Sequence, residues 1–310
     1  MAAIGIARAH GKVILLGEHA VVYGVPALAV GIDRGARASA STAEEPQLTI
    51  DGQAAEGSLV WQAFSALCSE LDAHELCVSA ELEVPPGCGL GSSAALGVAI
   101  ARSMLEALGR PASAASVLAA ADAWERVFHG NPSGIDTNAA FHGGCFKFKR
   151  GHAPEFVELA APLRLAVVKA GPAASTKAMV EGVAKLRERR PDLVAKTLEA
   201  IQSLVQNAAL CLGAGDLAGL GKLMDYNQML LSGLFLSTPE IERACGIARE
   251  HGALGAKLTG AGGGGSVIAL ADDPDAIVRA WQREGLPAFV ATCAGTSMHT
   301  EPTARSEPKP

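Results

Sequence analysis

Basic residues are in short supply: 26 lysines and arginines stand against 32 aspartates and glutamates in 310 residues, a formal charge of −6. A chain without surplus positive charge is poorly equipped to meet a phosphate backbone, so no nucleic-acid partner is expected. Cysteine is sparse and unpatterned. The seven cysteines (68, 77, 88, 145, 211, 245 and 293) include no Cys-x-x-Cys pair, which excludes the usual zinc spacing and fits scattered reduced thiols in a cytoplasmic protein. The first ten residues lack the long apolar core of a secretory signal. The longest charge-free stretch, residues 84–101, opens with Pro85, Pro86, Gly87, Gly89 and Gly91, a poor start for a lipid-buried helix, so no membrane span is expected either. Charged residues make up only 19% against 49% hydrophobic, which excludes a mainly disordered chain. No internal repeat is visible.

What is present reads as a mixture of strands and helices long enough for about two domains, with no need of a metal or disulfide staple. Lys12 opens a buried strand that Gly17 closes and Glu18-His19 follows. Residues 21–30 are apolar but broken by Gly24 and Pro26; residues 40–57 are polar, with turns at Pro46 and Asp51-Gly52. Helices are expected at 59–71, at 94–108, and from an N-cap at Ser113 to about residue 128; strands are expected at 76–84 and 143–149. Residues 129–136 have turn chemistry. Past residue 160 the rhythm changes to a strand at 163–169, four helices between 175 and 250, a strand-loop-strand at 256–271, a helix ending at 281–285 and a strand at 288–293. The expected domains are 1–160 and 161–300, with a flexible tail at 301–310.

Three features could carry chemistry. Gly87-Cys-Gly-Leu-Gly-Ser-Ser-Ala-Ala95 opens a helix, so glycines free of Cβ clashes and a helix N-terminus together make a cradle for an anion. The competing reading is an ordinary glycine-rich turn, since the run is neither a Walker A loop nor Gly-x-Gly-x-x-Gly. The second run, Gly260-Ala-Gly-Gly-Gly-Gly265, does match Gly-x-Gly-x-x-Gly. A strand follows it rather than a helix, however, so it is rejected as a dinucleotide fingerprint. It reads equally as a hairpin-like connection or a phosphate contact, and its lack of side chains would let another loop approach closely. The third feature is polar residues in apolar surroundings. Glu125 shares a helical row with Leu118, Ala121 and Phe128, where an unpaired carboxylate is costly and calls for a cation, a proton or an exit to water. Asp136 reads alone as a turn cap, Lys12 as a snorkelling strand residue and Glu18-His19 as a polar loop.

Residues 11–27, 85–95 and 257–265 together resemble the three ordered motifs of the GHMP kinase family, and the resemblance spans nearly the whole chain. The sub-patterns Gly-Glu-His-Ala-Val-Val-Tyr-Gly (17–24) and His-Gly-Asn-Pro-Ser-Gly-Ile-Asp (129–136) are similar to those of its mevalonate-phosphorylating branch. The resemblance implies an α+β, two-domain fold, with an N-terminal domain like the second domain of ribosomal protein S5 and a ferredoxin-like C-terminal domain. It implies ATP and Mg²⁺ as cofactors and mevalonate as the small-molecule substrate, and it allows a homodimer. The phosphates would lie on Pro86, Gly87, Gly89, Leu90, Gly91, Ser92, Ser93 and Ala94. Ser93 and Glu125 would hold the metal. Asp136 would take the proton of the acceptor hydroxyl with Lys12 beside it, and Glu18, His19 and Thr176 would contact the acceptor, with Ser133 near the site. Cys88 departs from the Ala or Ser usual at its position; a thiol pKa depressed by the helix start would make it reactive, and an inert small residue is the alternative. Other readings that stay open are a phosphomevalonate, homoserine or sugar kinase of the same family, or a non-catalytic ligand sensor on the same fold.

Overall fold

A computed structural model describes residues 4–293 apart from 131 and 173, so the tail expected at 301–310 lies outside the described residues. Two long strands organise the first half. β1 (Ile4–Leu16) runs antiparallel to β2 (Ala27–Thr42) along nearly its whole length, and a 3₁₀ turn at Ala20–Tyr23 joins them. On its other edge β2 pairs with β5 (Leu76–Leu82) and β6 (Cys145–Phe148); β3 (Gln47–Ile50), β4 (Gln53–Ala54) and β7 (Glu155–Phe156) complete a seven-stranded sheet, six strands following the path β4-β3-β5-β2-β6-β7 and β1 joining it through β2. Four helices belong to this half: α1 (Leu59–Leu71), α2 (Ser92–Ala107), α3 (Ala114–His129) and α4 (Ile135–His142).

Sequence reading divides β2 between an apolar run and a polar one because Ala36, Ala38 and Ala40 line its buried face where Val or Ile would have signalled a strand. The structure supplies the reason for small residues here. Helix α2 lies directly on β1 and β2, close enough that a Cβ on Gly5 would sit 2.0 Å from the Ser103 carbonyl. Larger side chains would lift the helix off the sheet. Phe64, Leu67, Val98, Met104 and Trp124 fill the core between α1, α2 and α3.

The second half is built on four antiparallel strands, β8 (Leu163–Gly171), β9 (Gly255–Thr259), β10 (Gly265–Leu270) and β11 (Ala288–Cys293), in the order β11-β8-β10-β9. That order is the ferredoxin-like one. Between β8 and β9 run α5 (Thr176–Arg189), α6 (Pro191–Ala214), α7 (Leu217–Gly233) and α8 (Pro239–Glu250), and α9 (Pro274–Arg283) links β10 to β11. Trp281 is buried at the centre of the helical layer and donates its indole N–H to the Ala244 carbonyl at 2.9 Å. One apolar cluster crosses from Leu15, Leu28 and Ile32 of the first sheet to Leu165, Val167 and Leu258 of the second. The two halves therefore share a continuous core, and polar groups at its margin are held rigidly between them.

Candidate active site

The loop before α2 is a cradle formed by backbone. Gly91 stands at the N-cap of α2 with φ 72°, a left-handed conformation in which a side chain would be strained, and a Cβ there would lie 2.9 Å from Cγ of Lys12. The Lys12 amide donates to the Leu90 carbonyl at 2.9 Å, tying the loop to β1. From the other side the hairpin between β9 and β10 closes in: a Cβ added to Gly260 would be 3.4 Å from Cα of Gly89. The second glycine run is thus a hairpin connection whose bare backbone lies against the first loop. Gly87, Gly89, Thr176, Thr259, Ala261 and Gly262 line a cavity of about 60 Å³ between them. Pro86 and Gly87 are exposed and Leu90 is buried, while Ser92, Ser93 and Ala94 form the first turn of α2, whose N–H groups have no partner within the helix. A chain of phosphate oxygens suits such a lining, because a Cβ would occupy the room that the anion needs.

Beside the cradle Lys12 does not snorkel. It is 5% exposed, and its Nζ lies 3.2 Å from Oδ1 of Asp136. Asp136 sits in the first turn of α4 rather than in the loop its turn-like sequence suggests, and Gly134, not Asp136, is the N-cap. Helix α4 is pinned at this end: Thr137 Oγ1 donates to Asp122 at 3.1 Å, Asn138 to the Gly134 carbonyl at 2.8 Å, and the Ile135 amide to Ser133 Oγ at 3.4 Å. Oδ1 of Asp136 is buried with no donor aligned on it, an acceptor left over beside a lysine.

Glu125 is buried, as its place in the helical row predicts. It accepts from Ser93 Oγ at 2.5 Å, Ser93 in turn accepts from the Trp124 indole N–H at 3.1 Å, and His129 lies 3.6 Å from its second oxygen. Among the described residues no group of three or more His, Cys, Asp or Glu is set to hold a metal. Mg²⁺ does not require one, since it characteristically takes one or two carboxylates, water and substrate phosphate. A buried carboxylate joined to a hydroxyl at the mouth of an anion cradle fits that donor set. Burial pushes the Glu125 carboxyl up to about 7; the Ser93 hydrogen bond and Lys12 oppose this, and Asp136 and Asp122 reinforce it. A carboxyl raised in the folded state contributes stability that is full below about 4.5 and is lost as pH rises through about 7. In metal-free buffer, Glu125→Gln should therefore equal the parent protein at pH 4 and exceed it by about 3 kcal/mol at pH 8. Urea unfolding at the two pH values measures the difference, and parallel pH dependence of the two proteins would refute it.

Two expected positions differ in the structure. Glu18 does not face the cavity: its fully buried carboxylate pairs with Lys257 of β9 and accepts from Asn227 Nδ2 of α7 at 3.0 Å. Both its oxygens are therefore committed to the seam between the halves. The Cys88 thiol is 2% exposed and donates to the Pro86 carbonyl at 3.5 Å; burial raises its pKa, outweighing the lowering by Lys169. Burial thus works against the thiolate that activation by the helix start would need, which favours the inert alternative. His19 is buried behind Ala261, which lines the cavity. It adopts φ 59°, and its Nε2–H donates to the Ala261 carbonyl at 2.7 Å, which leaves Nδ1 a buried acceptor without a partner. Burial lowers its pKa, keeping the ring neutral, although Ala261 and Glu18 act in the other direction. Thr176 begins α5, exposed on the opposite wall of the cavity.

Sequence reading misses the partners at the seam. Thr259 Oγ1 accepts from the Ile14 amide at 2.8 Å and lies 3.2 Å from the Ile14 carbonyl, stitching β9 to β1 two residues from Lys12. Lys257, set between Ala256 and Leu258 in an apolar strand, was the available signal: a lysine there must have a buried counterion.

Comparison with known proteins places this geometry. The family description "GHMP kinases N terminal domain" matches residues 58–144, and "GHMP kinases C terminal" matches residues 198–287. The chain is 36% identical over 271 residues to the mevalonate kinase of Methanothermobacter thermautotrophicus, covering 85% of this chain and 89% of that protein. It is 35% identical over 331 residues to that of Pyrococcus furiosus, covering 96% and 95%. Among solved structures, L. major mevalonate kinase in complex with R-mevalonate superposes with a TM-score of 0.86 at 29% identity, over 94% of this chain and 96% of that one. A Lactococcus lactis galactokinase, at 18% identity and TM-score 0.76, shows the same fold.

Proposed function

The chain belongs to the GHMP kinase family and, within it, to the mevalonate kinases, and from that premise we propose that it transfers the terminal phosphoryl group of ATP to the C5 hydroxyl of mevalonate, giving ADP and 5-phosphomevalonate. The observation that carries the reading is the Lys12–Asp136 pair at the edge of a glycine cradle. Phosphoryl transfer asks a protein mainly to align the reactants and to stabilise charge on the moving group. The amides of residues 89–94 hold the phosphate chain. The unaligned Oδ1 of Asp136 accepts the proton of the attacking hydroxyl, and the Lys12 ammonium beside it offsets charge on the oxygens in transit. His19, through its buried acceptor Nδ1, and Thr176, across the cavity, position the acceptor. Ser93 and Glu125 would hold Mg²⁺, which would supply positive charge to the phosphate oxygens. We take residues 1–160 and 161–300 as the two domains; the first sheet closes at Phe156 and the second opens at Leu163, which supports that division.

ADP release measured with mevalonate, phosphomevalonate, homoserine and galactose tests the assignment. Mevalonate should exceed the other acceptors by about 10²-fold or more in kcat/KM, the discrimination available to a site built around specific polar contacts. Preference for phosphomevalonate or galactose would move the chain to another kinase of the family. No ADP release with any acceptor would favour a ligand sensor.

A further inference from the structure

Two lysines flank the glycine loop, one from each half of the chain. Lys12 lies against Gly91, at the end where Asp136 stands. At the other end lies Lys169 of β8. Its register partner on β10 is Ser266, and residues directly opposite one another in an antiparallel pair share a face of the sheet. Ser266 is fully buried and donates its hydroxyl to the Cys88 carbonyl at 2.9 Å, so that face looks onto the loop. Lys169 therefore stands on the face of the sheet that meets Cys88, close enough for its charge to lower the pKa of the Cys88 thiol. The lysine itself is exposed, and among the described residues it takes part in no ion pair. A cation thus stands on the sheet face that meets the loop, with no counterion among the described residues.

We infer that Lys169 is a nucleotide-binding residue: its ammonium pairs with the phosphates nearer the nucleoside, while Lys12 serves the terminal one. The inference rests on the reading of the glycine loop as the phosphate cradle. Its geometric basis is the strand pairing. β8 and β10 carry the lysine to the loop from the second half of the chain, so a polyphosphate lying along the loop is gripped by both halves. Lysine suits this role as a point charge on a long stem, reaching oxygens whose orientation the loop amides already set.

Calorimetric titration of the full-length chain with ADP and with adenosine, in Mg²⁺ buffer, separates a phosphate contact from a general loosening of the site. Lys169→Met should weaken ADP about five- to tenfold and leave adenosine within about twofold, the scale of a single partly exposed charge-assisted contact. Lys169→Arg, which keeps the charge, should recover most of the ADP affinity, and Lys169→Glu should lose more than Lys169→Met. ADP affinity indifferent to the charge at this position would overturn the inference while leaving the cradle reading intact. Equal losses for ADP and adenosine would also overturn it, since they mark a structural effect. Failure of the unaltered protein to bind ADP would overturn both readings together.

Discussion

Asp136→Asn should lower kcat by about 10²-fold or more while the folded state is retained. The expected loss is the usual contribution of a general base together with the charge balance it maintains. Asparagine reproduces the shape of the side chain and can still accept a hydrogen bond, but it cannot take up the hydroxyl proton, and it leaves Lys12 with no anion at 3.2 Å. The fold should be spared because α4 is anchored through Thr137, Asn138 and Ser133, none of which uses the Asp136 carboxylate. Steady-state kinetics alongside thermal unfolding separate the two effects. Because phosphoryl transfer depends heavily on alignment, near-normal turnover in this variant is a meaningful alternative outcome, and it would remove Asp136 from the proton transfer.

The second large effect concerns stability. Lys257→Met should destabilise the protein by about 3–5 kcal/mol, the cost of stranding one member of a buried ion pair. Lys257 and Glu18 both have side chains with no exposed surface. The ammonium also donates to the Ile14 carbonyl at 3.4 Å and to the Leu258 carbonyl. Among the described residues, its removal leaves the Asn227 amide as the one remaining side-chain donor to Glu18. The double variant Glu18→Leu/Lys257→Met should recover most of the loss, because replacing both charges by apolar groups removes the desolvation cost as well as the attraction. Urea denaturation of the two single variants and the double completes the cycle. A Lys257→Met protein within about 1 kcal/mol of the parent would show that the pair is not a significant stabilising link.

Local signals carry much of the architecture. Helix α1 and strand β11 have the bounds that periodicity predicts, and Ser113 caps α3 by accepting from the Ser116 amide. β2 escapes because the buried positions of its second half are alanines, and the α4 start escapes because a glycine N-cap looks like any other turn. The site follows the same division. The inward position of Glu125 is legible from helical spacing within a single element, and the glycine loop from its composition. Glu18 is not legible in that way: its partners lie more than two hundred residues away on β9 and α7, and no local pattern announces a counterion that tertiary packing brings in. Cys88 fails for a related reason. The helix start that should activate it is visible in the sequence, whereas the desolvation that dominates depends on what the second half of the chain lays over it.

The Glu18–Lys257 seam also constrains how this gene can be recombined. Each half supplies one sign of a charge that water never reaches, so neither half is electrically complete without its mate. A chimera assembled at the junction between the sheets inherits a functional partner across that boundary only if both parents kept the same pairing. Otherwise it buries a lone ion at the point where strand β1 leads back to Lys12.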